Sequence, residues 1–177
     1  MSGSLPPGAP EDGFARIAGL ARGIATAGRP VAVLADTYGP ALAAILAERP
    51  AVVKINAAEA SEGTGLEVAD PDTAERAATE LRRRGAGAVV ITLGPAGAVV
   101  VSAAGSLLLA PAGVTGAYPV GSGDAFLGGL AVGLARGEDV QQAARLGRAA
   151  GMANALVPGA GELDPAAVQR ILAADPG

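Results

Sequence analysis

Short apolar runs and helix-spaced apolar stripes alternate along this chain, and the alternation predicts its elements. The stretch "EDGFARIAGLARGIATAG" places Phe14, Ile17, Leu20 and Ile24 at helical spacing and ends on Gly28. "PVAVLADT" is a short apolar run suited to a fully buried strand, "PALAAILAE" reads as a helix, and "AVVKIN" is again a strand. "DPDTAERAATELRRRG" carries most of a helix's punctuation. Asp70 stands at the N-cap, Pro71 at the first helical position, acids in the first turn, three arginines in the last, and Gly85 follows. "AVVITL", "AVVVSA" and "SLLLA" have strand length and β-branched content, and the last two, joined by "AAGS", read as a β-hairpin. From Asp124 onward the pattern is helical: "DAFLGGLAVGLARG", "EDVQQAARLGRAAGMANAL" and "DPAAVQRILAA". Strands alternating with helices imply βαβ units, hence an α/β fold with a mostly parallel sheet and helices on both faces. No internal repeat interrupts this pattern, and residues 1–177 read as a single domain.

Composition narrows the chemistry. The 177 residues suffice for one domain with a real core, and because aromatics make up only 2% that core is built from Ala, Val, Leu and Ile. A net charge of -4 provides no basic footprint, so no nucleic-acid partner is expected. There is no cysteine, which excludes disulfides and thiolate metal sites and fits a reducing, cytoplasmic setting. There is also no histidine, which removes the commonest general base and metal ligand. Reactivity is left to Asp, Glu, Lys, Arg, hydroxyls, backbone amides or a bound ion. The opening "MSGSLPPGAPEDG" does not have the form of a secretory signal. Residues 85–123 carry no charge, yet Gly94-Pro95, Gly97, Gly105-Ser106 and Pro111 cut them into strand-sized pieces, which argues against a membrane span.

In parallel sheets, ligands bind at the carboxyl ends of the strands. Asp36 and Thr37 close the first strand, Lys54 and Asn56 the second with Glu59 three residues on, Thr92 and Gly94 the third, and Gly121, Ser122, Gly123 and Asp124 come last. All suit a phosphorylated ligand. "PVGSGDAFLGG" sets two glycines and a serine before a lone carboxylate at a predicted helix start. The free amides and positive dipole end there would hold an anion, and glycines let a phosphate approach the backbone. A carboxylate in that first turn would repel a resting phosphate, but it is placed to take a proton from a hydroxyl attacking phosphorus. The plain alternative is an N-terminal cap in which Asp124 only stabilises its helix.

"VGSGDAFLGG" resembles the C-terminal signature of the PfkB carbohydrate kinases, the ribokinase-like family. "VVKINAAEA" is similar to the family's Asn-X-X-Glu motif, with Asn56 and Glu59 in the matching places, and "VVITLGPAGAVVV" to the strand-turn-strand that walls its nucleotide site. "GSLPPGAP" and "AAGMANALVPGAGELD" resemble stretches of the 1-phosphofructokinase and tagatose-6-phosphate kinase branch. The resemblance implies that Asp124 is the catalytic base and that Gly121, Ser122 and Gly123 form an anion hole. It places Thr92, Gly94, Gly97, Asn154 and Lys54 at the nucleotide, and it gives Asn56 and Glu59 the task of organising Mg2+ through water. The implied cofactors are ATP and Mg2+. A solvated strand-end cation is the alternative for Lys54, and a solvated helix terminus is the reading for Arg82, Arg83 and Arg84. Tyr118 reads as packing.

Measured against that family, the N-terminal strands, the lid and most of the sugar-binding portion are expected to be lacking. That leaves two readings: an ATP-dependent sugar or sugar-phosphate kinase, or its catalytic half; and a nucleotide-binding remnant without turnover that needs its N-terminal portion. An uncovered sheet edge or apolar face is expected in either case, and with it self-association as a homo-oligomer.

Overall fold

The computed structural model describes residues 1–24, 31–111 and 116–174. They group into two compact units, one of Met1–Leu93 with Val99–Ser106 and one of Gly94–Ala98 with Leu107–Gly177. Strands β1 (Leu34–Ala35), β2 (Val52–Asn56), β3 (Ala88–Thr92), β4 (Ala98–Ser102) and β5 (Gly105–Leu109) form one sheet in that order. β1, β2 and β3 are parallel, with Leu34 opposite Val52 and Asn56 opposite Thr92. β4 and β5 are sheet neighbours joined by Ala103-Ala104, a link only an antiparallel pair can use, so the expected hairpin is present.

In the first unit, Val52–Ile55 and Ala88–Ile91 are each buried at four consecutive positions, as strands covered on both faces must be. The cover is α1 (Gly13–Ile24), α2 (Gly39–Ala47), α3 (Ala57–Thr64) and α4 (Pro71–Arg83). Leu42, Ile45, Leu46, Ala74, Ala78 and Leu81 pack with Val53, Ile55, Val89 and Ile91 in one core. α4 starts as its sequence predicts: the Asp70 carboxylate accepts the Thr73 N–H at 2.8 Å, and the Thr73 hydroxyl accepts the Asp70 N–H at 3.0 Å.

Two expectations change, and one helix has no counterpart in the sequence pattern. Of the described residues 31–37 only Leu34–Ala35 forms a strand: before it the Val33 carbonyl takes both the Ala51 and the Val52 N–H, at 2.8 and 3.3 Å, instead of continuing a one-to-one ladder, and after it Asp36 makes a single bridge to Ser2. There the Asp36 N–H donates to Met1 O at 2.9 Å and the Gly3 N–H to Asp36 O at 2.8 Å. The stripe Phe14–Ile17–Leu20–Ile24 does not turn as a whole to the core. Phe14 packs against it, whereas Ile17, Leu20 and Ile24 are 52%, 71% and 74% exposed. Gly28, the expected end of this helix, lies outside the described residues. Finally α3 is a helix that apolar periodicity does not announce, since Ala60 is its one buried residue.

The second unit is built from α5 (Ser122–Ala135), α6 (Val140–Ala155) and α7 (Pro165–Ala173). α5 and α6 approach so closely that a Cβ on Gly147 would stand 2.7 Å from Phe126, and one on Gly151 2.8 Å from the Ser122 carbonyl oxygen. Ala167, Val168 and Ile171 of α7 close a core with Leu146, Ala149 and Ala153 of α6. Among the described residues no helix is long and apolar enough to cross a membrane.

Candidate functional site

Each unit carries part of the expected site at the ends of its elements. In the first, Lys54, Asn56 and Thr92 lie where β2 and β3 end, Asn56 and Thr92 being register partners. Lys54 is not a solvated cation: it is 4% exposed, and its ammonium donates to Asp36 Oδ2 at 2.5 Å. Register explains the pair. Ala35 lies opposite Val53, so the next positions, Asp36 and Lys54, meet on one face of the sheet. Sequence reading placed both residues at strand ends but not with each other, because the pairing depends on an alignment of β1 and β2 that neither run specifies alone. Thr37, next along, is 2% exposed, and its hydroxyl makes no hydrogen bond.

Asn56 and Glu59 hold each other. The Asn56 side-chain oxygen accepts the Glu59 N–H at 2.9 Å, and the Glu59 carboxylate accepts the Asn56 N–H at 2.9 Å. This reciprocal box is what starts α3. The same Asn-X-X-Glu spacing therefore has a structural duty, and it fixes an amide and a carboxylate side by side at the end of β2. Among the described residues no three Asp or Glu side chains gather into a metal cage. One carboxylate and one amide oxygen suit an ion that keeps most of its water, as Mg2+ does. The donor set is compatible with magnesium held through its hydration shell.

In the second unit, Gly94 opens a 3-10 turn, Gly94–Ala96, with the Gly97 N–H donating to Gly94 O at 3.1 Å. Gly97 has φ +98°, and a Cβ there would lie 2.0 Å from the Leu109 carbonyl oxygen, so only glycine fits. Gly121, Ser122, Gly123 and Asp124 form the start of α5. Gly121 is its N-cap, at φ +84°, and no side chain caps the helix. Asp124 is an exposed carboxylate in the first turn. Asn154 is fully buried on α6, with both ends of its amide engaged: Nδ2 donates to Val120 O at 2.9 Å and to Ser122 Oγ at 3.2 Å, and Oδ1 accepts the Gly161 N–H at 2.8 Å. Tyr118 is 45% exposed rather than packed.

Arg83 and Arg84 are exposed as expected and Arg82 is half-buried, and none of the three is loose. Arg83 and Arg84 pair with Glu80 at 3.2 and 2.9 Å, and Arg82 donates to Gly87 O at 3.1 Å. The Arg84 side-chain hydrogen bond, reinforced by both guanidinium charges, holds the Glu80 carboxyl below its ordinary range. These contacts fasten the end of α4.

Residues 1–167 match the pfkB family of carbohydrate kinases. The 1-phosphofructokinase of Rhodobacter capsulatus is 38% identical over 84% of this chain and 46% of its own length. ATP-dependent 6-phosphofructokinase isozyme 2 of Mycobacterium tuberculosis is 35% identical over 99% of this chain and 51% of its own. Among solved structures, phosphofructokinase-2 from Escherichia coli in complex with potassium superimposes with a TM-score of 0.86 at 32% identity, over 97% of this chain and 55% of that one. The chain thus spans about half the length of the curated relatives it matches.

Proposed function

Because this chain belongs to the pfkB family of carbohydrate kinases, we propose that it carries the nucleotide-binding and proton-abstracting part of an ATP-dependent sugar-phosphate kinase. The observation that carries the reading is the start of α5, a 14-residue helix whose N-cap is a glycine with no capping side chain and whose first turn holds the exposed Asp124. α3, α4, α6 and α7 are each capped by a side chain of their own. The Ser122 N–H is taken by Pro119 O at 3.1 Å, and the positive end of the helix dipole, reached over a glycine that brings no side chain, is suited to an incoming phosphoryl oxygen.

In the proposed step, Asp124 accepts the proton of a sugar hydroxyl as that oxygen forms a bond to the γ-phosphorus of ATP. The bond from that phosphorus to the bridging oxygen breaks, and ADP leaves with the electron pair. The amides of Gly123 and Asp124 face the charge on the transferring group, while Gly121 and Ser122 shape the turn that presents them. Lys54, held by Asp36, offers a fixed positive charge to the nucleotide phosphates, and Thr92, Gly94 and Gly97 border the nucleotide. Asn56 and Glu59 would hold Mg2+ through its water; when bound, that ion neutralises phosphate charge. Fructose 1-phosphate and fructose 6-phosphate are the acceptors to try first, from the names of the phosphofructokinase relatives. The outward stripe Ile17–Leu20–Ile24 supports association through that face.

Calorimetry with ATP and Mg2+ tests the reading: saturable heat at or below millimolar nucleotide is expected, and none at millimolar ATP would overturn it. Turnover of either fructose phosphate, lost in Asp124→Asn, would establish the base.

A further inference from the structure

One face of α6 is shaped to the start of α5. Gly147 leaves room for Phe126, Gly151 for the Ser122 carbonyl, and Asn154, one turn on, reaches the loop before the helix. Beyond Asn154, the Ala155 carbonyl accepts the Tyr118 N–H at 3.0 Å. A contiguous strip of α6 thus holds the chain from Tyr118 to Phe126.

Asn154 is the polar member of that strip, and it binds two loops at once. Its amide nitrogen holds Val120 O and Ser122 Oγ, on either side of Gly121, and its oxygen holds the Gly161 N–H. The same Gly161 nitrogen would lie 2.5 Å from a Cβ on Gly121. The two loops therefore touch at Gly121 and are joined beside it by one side chain. Asn154 is 0% exposed, so it does not reach a nucleotide in solvent.

We infer that Asn154 is a positioning residue. It fixes the loop 118–122 against the loop 158–161 and so sets the angle at which the first-turn amides of α5 and Asp124 meet a phosphoryl group. This rests on the proposed nucleotide reading, and it replaces direct nucleotide contact by Asn154 with control of the loop that makes contact. The side-chain type follows from the task. The site needs two donors toward Val120 O and Ser122 Oγ and one acceptor toward the Gly161 N–H, all without charge, and a buried primary amide supplies that set. Aspartate has the same shape but turns oxygen toward the Val120 carbonyl.

The test compares the parent with Asn154→Asp and the milder Asn154→Ser by amide hydrogen exchange, melting temperature and calorimetry with ATP and Mg2+. The expected result is at least tenfold faster exchange at residues 118–124 and 159–161, with exchange in the body of α5 (126–135) unchanged. ATP affinity should fall about tenfold in Asn154→Ser at a melting temperature within a few degrees of the parent. Unchanged local exchange in Asn154→Ser would overturn the inference, as would uniform acceleration throughout the second unit, which marks a merely structural residue. If Asn154→Asp does not fold, Asn154→Ser decides. A parent that binds no ATP would overturn the nucleotide reading, while local exchange would still decide whether Asn154 holds the loop.

Discussion

α4 and α5 begin in opposite ways. α4 starts with a complete set of internal partners: Asp70 and Thr73 exchange hydrogen bonds, and Pro71 fills a position that needs no donor. α5 starts with Gly121 in a left-handed conformation, no capping side chain, and a carboxylate three residues on. A helix start that satisfies itself has only a structural role. One whose N-cap residue brings no side chain gives up that capping bond and keeps room beside the positive end of the helix for an anion. The start of α3 lies between these cases, since Asn56 and Glu59 cap the helix and still present oxygens at a strand end.

The sharpest way to break this comparison is to neutralise the carboxylate at each start. Asp124→Asn should reduce turnover on a fructose phosphate by about 10²–10⁴-fold, the usual contribution of a positioned base. ATP affinity should stay the same or improve slightly, and the melting temperature should hardly move. Asp70→Asn, whose amide oxygen can still accept the Thr73 N–H, should leave turnover and nucleotide affinity untouched and lower the melting temperature only slightly. Steady-state kinetics and thermal scans on both variants decide it, and equal turnover in Asp124→Asn would make the two starts equivalent.

Next in size is the pair at the end of β1 and β2. Asp36→Asn leaves a nearly buried ammonium without its carboxylate, and breaking such a pair costs about 3–5 kcal/mol. A double variant, Asp36→Leu with Lys54→Met, should recover most of the stability in denaturant titrations but not the nucleotide affinity. Recovery of both would reduce the pair to packing.

Much of this was legible in the sequence. β3 was clear because an uninterrupted β-branched run means burial on both faces, β2 because Val52, Val53 and Ile55 keep that pattern around Lys54, and α4 because its caps are written in residue types. The helix α1 was legible but its facing was not: periodicity shows that Ile17, Leu20 and Ile24 share a side, and only the placement of the neighbouring layers shows that the side is exposed. α3 escaped because its signal is a capping box rather than a stripe, and the same four positions already carried a chemical reading. The Lys54–Asp36 pair and the three bonds of Asn154 depend on register and on loops distant in sequence, which local pattern does not encode.

Gly121→Ala sharpens the comparison from the other side. The left-handed backbone alone costs alanine about 1–2 kcal/mol, and the new methyl would stand 2.5 Å from the Gly161 nitrogen. The variant should melt earlier and also lose ATP affinity, because the loop must shift to admit it. A stability loss with unaltered affinity, by calorimetry, would mean the turn does not present the amides.

The smallest effect belongs to the self-satisfied start, and pH exposes it. The Thr73 N–H, helped by the Thr73 hydroxyl, holds the Asp70 carboxyl below its ordinary value. A carboxylate whose pKa is lower folded than unfolded stabilises the fold above the unfolded pKa, and that stability is lost as pH falls through the folded pKa. Asp70→Ala should therefore melt a little earlier than the parent at neutral pH. The gap should narrow as the medium is acidified below the ordinary aspartate range, where the parent's carboxylate is protonated too. Thermal scans of both proteins from neutral to acid pH measure it. A gap that does not change with pH would assign the cap's contribution to shape and hydrogen bonding common to both protonation states, and would remove charge from the contrast between α4 and α5.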